Sequence, residues 1–106
     1  GKIHALLTRN WRERIKGRDY FDYMFYISHN VKFNLDYLRN KLEYSLNKDT
    51  SNYTIDDIKS LLKEKFEQTD FNDLKSDIIP FVNANYNIDS ISKEMFVNSI
   101  EYLKCE

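Results

Sequence analysis

The sequence is short of the residues that staple, kink or hinge a chain. Of its 106 residues one is cysteine, one proline and two glycine. A single thiol, Cys105, excludes an internal disulfide and fits a reducing cytoplasm, which is the expected location. So few glycines and prolines leave little material for tight hairpins and favour helices. No apolar run approaches the roughly 18 residues that span a bilayer, so no membrane partner is expected. Several chemical signatures are missing as well: GxxxxGK[ST], GxGxxG, CxxC and HExxH do not occur. With two histidines, His4 and His29, a zinc site would need carboxylates for most of its ligands, and no nucleophile elbow is present. These absences argue against a self-contained enzyme of the common types.

What is present is 42% hydrophobic, 31% charged and 15% aromatic residues, a composition that supports one core. The formal net charge of -1 conceals an asymmetry. Residues 1 to 20 carry six basic side chains (Lys2, Arg9, Arg12, Arg14, Lys16, Arg18) against Glu13 and Asp19, and the rest of the chain is acidic. A basic end on an acidic domain suits an anionic partner or an acidic protein.

Periodicity gives an all-α bundle of about six helices. Ile3, Leu6 and Leu7 mark a first helix over residues 1 to 9, and residues 10 to 17 read as a polar, basic connector. A second helix covers residues 18 to 28. Its apolar positions Tyr20, Phe21, Met24, Phe25 and Ile27 cover more than half its circumference, as in a central helix of a bundle. Asn34 caps a third helix with a stripe of Leu35, Leu38, Leu42 and Leu46. Thr54, with Asp57 three residues on, opens a fourth carrying Ile55, Ile58, Leu61, Leu62 and Phe66. Asp70 caps a fifth that Pro80 stops near Ile79. A last helix follows Ser90, with Ile91, Met95, Phe96, Ile100 and Leu103 inward. No strand of useful length is expected. The opening "GKIHALL" lacks Met and already lies in a helical pattern. The expectation is therefore a single helical domain, 1–106, cut from a longer chain.

The segment "KGRDYFDYMFYI" concentrates the candidate chemistry. Asp19 and Asp22 are three apart and share a helix face. Two such carboxylates can hold or orient groups around Mg²⁺, and the neighbouring Lys16 and Arg18 can grip phosphates. If the first two helices run antiparallel, Lys2 and Asp22 fall within roughly 5 Å of one level, which a lysine side chain spans. The competing reading is structural: Asp19 simply favours a helix start. Trp11 among Arg9, Arg12 and Arg14 suits RNA or nucleotide contact, and equally a core plug. Tyr20, Tyr23 and Tyr26 recur every third residue and fit core or rim better than base stacking.

"GKIHALLTR", followed by "KGRDYFDYMFYI", resembles the second half of the AbiEii-type nucleotidyltransferase toxins of abortive-infection (phage defence) and toxin–antitoxin systems. "FEQTDFNDLKSDIIPFV" is similar to that family's later region, where a DF pair precedes Asp-x-x-Pro-Phe. The resemblance implies the C-terminal helical part of a larger α+β, polymerase-beta-like enzyme of bacterial cytoplasm. Such an enzyme uses Mg²⁺ to move a nucleotide from an NTP to an acceptor, tRNA in some members, and an antitoxin partner is implied. By the same resemblance Lys2 takes the place of the family's phosphate-binding lysine. Arg18, Asp19 and Asp22 take that of its Arg-Asp-x-x-Asp, with Asp19 and Asp22 as catalytic support. The family's metal-binding half, a strand bearing Gly-Ser and Asp-x-Asp, has no counterpart here. No metal site is therefore expected within these residues alone, and the 106-residue chain is expected to be inactive by itself. The alternative is a non-enzymatic helical module that binds RNA or an acidic protein through Arg9, Trp11, Arg12 and Arg14.

Overall fold

A computed structural model describes residues 2–8, 17–81, 88 and 91–106. Its elements in chain order are α1 (Lys2–Thr8), α2 (Gly17–Ser28), β1 (Lys32–Phe33), α3 (Leu35–Leu46), α4 (Ile55–Gln68), α5 (Phe71–Ile78), α6 (Lys93–Ser99) and β2 (Lys104–Cys105). Single 3₁₀ turns, Ile79–Phe81 and Ile100–Tyr102, extend α5 and α6. The architecture is the expected all-α bundle. No helix among the described residues is long and apolar enough to cross a membrane.

Local chemistry sets the helix starts. Asn34 accepts from the Tyr37 amide. Thr54 and Asp57 form a reciprocal capping box: the Thr54 hydroxyl oxygen accepts the Asp57 N–H, and the Asp57 carboxylate accepts the Thr54 N–H at 2.8 Å. Asp70 accepts from the amides of Asn72 and Asp73. Each cap satisfies amides that the first helical turn leaves without partners. Pro80 lies within the 3₁₀ turn that closes α5, as its ring requires. The start of the last helix differs from expectation. Ser92, not Ser90, is its cap and accepts from the Met95 amide, so Ile91 packs into the core from just outside the helix and Leu103 from just beyond the 3₁₀ turn.

Helix α2 is the central post. Tyr20 and Tyr23 are fully buried against Phe66 of α4 and Phe96 of α6, centroids 5.4 to 6.1 Å apart; Tyr23 stacks on Phe96 and the other three pairs are edge-on or tilted. Such rings bring large apolar area and a preferred geometry. Both hydroxyls are satisfied in the same manner. Thr69 donates its hydroxyl to the Lys65 carbonyl, so it is the Tyr20 O–H that donates to Thr69 Oγ1, at 2.6 Å. Ser99 donates to the Phe96 carbonyl, and Tyr23 O–H donates to Ser99 Oγ at 2.9 Å. Two tyrosines of one helix thus bond to the final turns of two others. Burial pushes both phenols up, Tyr23 to about 12, against the opposing effect of these hydrogen bonds.

Of the apolar positions on α2, Phe25 stays out of the core: it is 52% exposed and stacks on the His29 ring at 4.0 Å, while Tyr23 is buried. On α3 only Leu38 and Leu42 are buried, and Leu46 is exposed. A second departure is a strand pair: β1 and β2 form a parallel ladder with Lys32 opposite Lys104 and Phe33 opposite Cys105, closed by the Glu106 N–H on the Phe33 carbonyl.

Candidate functional site

The site grows from the first turn of α2. The Gly17 amide donates to Asp77 Oδ2 at 2.6 Å, so a carboxylate from α5 caps α2 from 60 residues away. A Cβ at Gly17 would stand 2.5 Å from Ile78 Cγ2 and 2.8 Å from Asp77 Oδ2. Glycine is the residue that lets the start of α2 rest on α5 this closely. With the Tyr20–Thr69 bond, this contact joins "KGRDYFD" to "TDFNDLKSDIIPF". The two segments, far apart in the chain, are one unit in space.

Asp19 sits in the first turn of α2 and is 5% exposed, where the positive end of the helix dipole favours a carboxylate. Its charge adds to the rise of the Tyr20 phenol, after burial as the main cause. Asp22, one turn on, is half-buried and pairs with Arg18 at 3.9 Å. Arg18 is 70% exposed, so this pair contributes little to stability; it holds the carboxylate and the guanidinium near each other at the surface.

The start of α1 meets the second half of α2. Ile3 and His4 line a cavity of about 240 Å³ together with Tyr23, Tyr26 and Ile27. The Lys2 side chain, Lys16 and the basic set Arg9, Trp11, Arg12 and Arg14 lie outside the described residues. The cavity also takes Val31, Lys32, Phe33, Asn34 and Tyr37 from β1 and α3. His4 donates to or accepts from Ser45 Oγ at 2.7 Å, and its pKa is lowered by burial and by nearby positive charge, Lys41 included. Sequence reasoning missed the cavity and the role of Asp77. The letters DIIPF were visible, but nothing local shows that their aspartate reaches Gly17.

Among the described residues no three metal-ligating side chains of the His, Cys, Asp and Glu class converge. Asp19 and Asp22 are a pair one turn apart, not a closed ligand set. Chemically, the arrangement offers one buried and one half-buried carboxylate, a guanidinium beside the latter, and an apolar cavity along the same helix.

A protein-family model described as "Nucleotidyl transferase AbiEii toxin, Type IV TA system" matches residues 1–94. No curated protein and no solved structure matches the chain.

Proposed function

Because the chain belongs to the AbiEii nucleotidyltransferase toxin family of type IV toxin–antitoxin systems, we propose that it supplies one wall of a nucleotidyl-transfer site. In this reading it is the helical C-terminal domain, and the metal-binding half is a sheet elsewhere in the parent polypeptide. Lys2, Lys16 and Arg18 bind the phosphates of an NTP. Asp22 orients Arg18 toward them, and Asp19 holds the first turn of α2 in place. Mg²⁺, when bound with the NTP, neutralises charge on the phosphates being displaced. Asp19 and Asp22 fit support of such a site and do not fit sole ligation of the metal, since they form a pair without a third donor among the described residues. An antitoxin partner follows from the family; tRNA is the proposed acceptor.

The observation that carries the reading is the family match over residues 1–94, which takes in both segments joined by the Gly17–Asp77 contact. The test is transfer of radiolabelled nucleotide to tRNA, with calorimetric titration of NTP. Joined to its sheet half, the wild-type chain labels tRNA, and Lys2→Ala and Asp22→Asn each lower transfer at least a hundredfold without lowering the melting temperature. Robust transfer by the 106 residues alone, or full activity in both variants, overturns the assignment.

A further inference from the structure

The outer face of α3 carries an alternation that the nucleotidyl-transfer reading does not use. Tyr37, Lys41 and Tyr44 follow one another at spacings of four and three residues, and Lys48 lies just beyond the left-handed cap Asn47, its Nζ 5.9 Å from the centroid of the Tyr53 ring. At 3.6 residues per turn Tyr37, Lys41 and Tyr44 fall within an arc of about 60° and along roughly 10 Å of helix axis. Tyr44 is 89% exposed and Tyr37 51%. Lys41 Nζ lies 5.4 Å from the centroid of the Tyr37 ring, so cation and ring already share one surface. Leu38 and Leu42 point to the core, and Asn40, Asn47 and Ser45 border the stripe. Tyr37 also lines the cavity described above, together with Lys32 of β1.

Charge is the second observation. In the β1–β2 ladder Lys32 and Lys104 stand directly opposite each other, an arrangement that like charges disfavour. Among the described residues Lys32, Lys41, Lys48 and Lys104 are in no ion pair, in a chain of 17 acidic residues. Asp36 is turned to Arg39 at 2.8 Å. Glu43 falls on the helix more than about 100° away from the stripe. Lys59 and Lys63 of α4 are likewise in no ion pair among the described residues; what sets the α3 face apart is the exposed rings beside its ammonium groups, which match a ligand that has anions along its length and flat faces between them.

We propose that this surface, from Lys32 and Lys104 past Tyr37 and along Lys41, Tyr44 and Lys48, is a track for single-stranded nucleic acid. The lysines contact successive phosphates, and Tyr44 and Tyr37 stack on bases. A protein partner is disfavoured by the lack of aliphatic side chains between the two tyrosines. The proposal deepens the preceding one by giving an acceptor strand its path, but it needs neither NTP nor Mg²⁺.

The test is fluorescence anisotropy of a short labelled oligoadenylate, as RNA and as DNA, with the 106-residue chain and no NTP or metal. Failure here leaves the transfer assay above to stand or fall separately. Expected is binding that weakens with salt. Lys41→Glu with Lys48→Glu lowers affinity at least tenfold, and replacing both by Gln reduces the salt slope by about 1.4. Tyr44→Ala lowers affinity roughly five- to a hundredfold with the slope unchanged, and Tyr44→Phe restores it. Lys59→Glu with Lys63→Glu, the same charge change on α4, is the control. Binding of either oligonucleotide with this pattern supports the track, and the RNA and DNA arms tell which sugar it accepts. No binding at low salt, equal loss in the α4 control, or a concentration-dependent dimer abolished by Tyr44→Ala would each overturn it.

Discussion

The Tyr20 O–H donates to Thr69 Oγ1 across 2.6 Å of buried space, and the Thr69 O–H in turn donates to the Lys65 carbonyl. The direction of donation decides what a mutation costs. In Tyr20→Phe the threonine keeps a partner, so the loss is about 1 kcal/mol. In Thr69→Val the Tyr20 hydroxyl is left buried without an acceptor, and the loss rises to about 2–3 kcal/mol. Urea unfolding of the two variants is expected to rank them in that order.

The two buried phenols make the fold sensitive to alkali. Their pKa values are raised in the folded chain, Tyr23 to about 12, while the unfolded value is the ordinary 10.0. The folded chain therefore keeps its phenols protonated where the unfolded chain loses them. This contribution is complete below pH 10.0 and is lost as pH climbs through the folded value. Between those limits each tyrosine lowers stability by about 1.4 kcal/mol per pH unit. Circular-dichroism unfolding curves taken from neutral pH to about pH 12 should show the slope, and Tyr23→Phe should roughly halve it.

Gly17→Ala tests how closely α2 rests on α5. The new methyl would meet Ile78 Cγ2 at 2.5 Å, and relief requires moving a buried side chain or the helix start. The expected cost is about 1–3 kcal/mol, read from the denaturant midpoint. A Gly17→Ala protein as stable as wild type would show that the two helices separate easily.

Thr54→Ala removes one half of the capping box on α4 and leaves Asp57 to accept the residue 54 amide alone. A loss of about 1 kcal/mol is expected. Thr54→Ser, which keeps the acceptor oxygen, should recover most of it.

Which features were legible follows from how local their causes are. Asn34, Thr54 and Asp70 each act on amides two or three residues ahead, so their side chains announce the helix starts. The leucine stripes of α3 and α4 place Leu38, Leu42, Ile58 and Leu62 in the core. Helix α2 defeats the same reasoning because it is apolar on most faces; periodicity cannot choose between Phe25 and Tyr23 as the inward residue. A buried tyrosine is accepted only where a hydroxyl acceptor waits, and Thr69 and Ser99 are 49 and 76 residues away. The same distance hides the Gly17–Asp77 contact. Strands of two residues have no alternation to read. At the site, Arg18, Asp19 and Asp22 were visible as a charge cluster. Their division into a buried and a half-buried carboxylate was not, since position three of a helix can face either way.

The β1–β2 ladder joins residues 72 apart with two residues on each side. Closing a loop that long carries an entropic cost, and a ladder that short has few hydrogen bonds to set against it. Leu103, the residue before β2, lines the cavity beneath it. The register of two short strands thus sets where Leu103 stands in the wall of that chamber, so a change in the pairing of Phe33 with Cys105 would be felt in the cavity's shape.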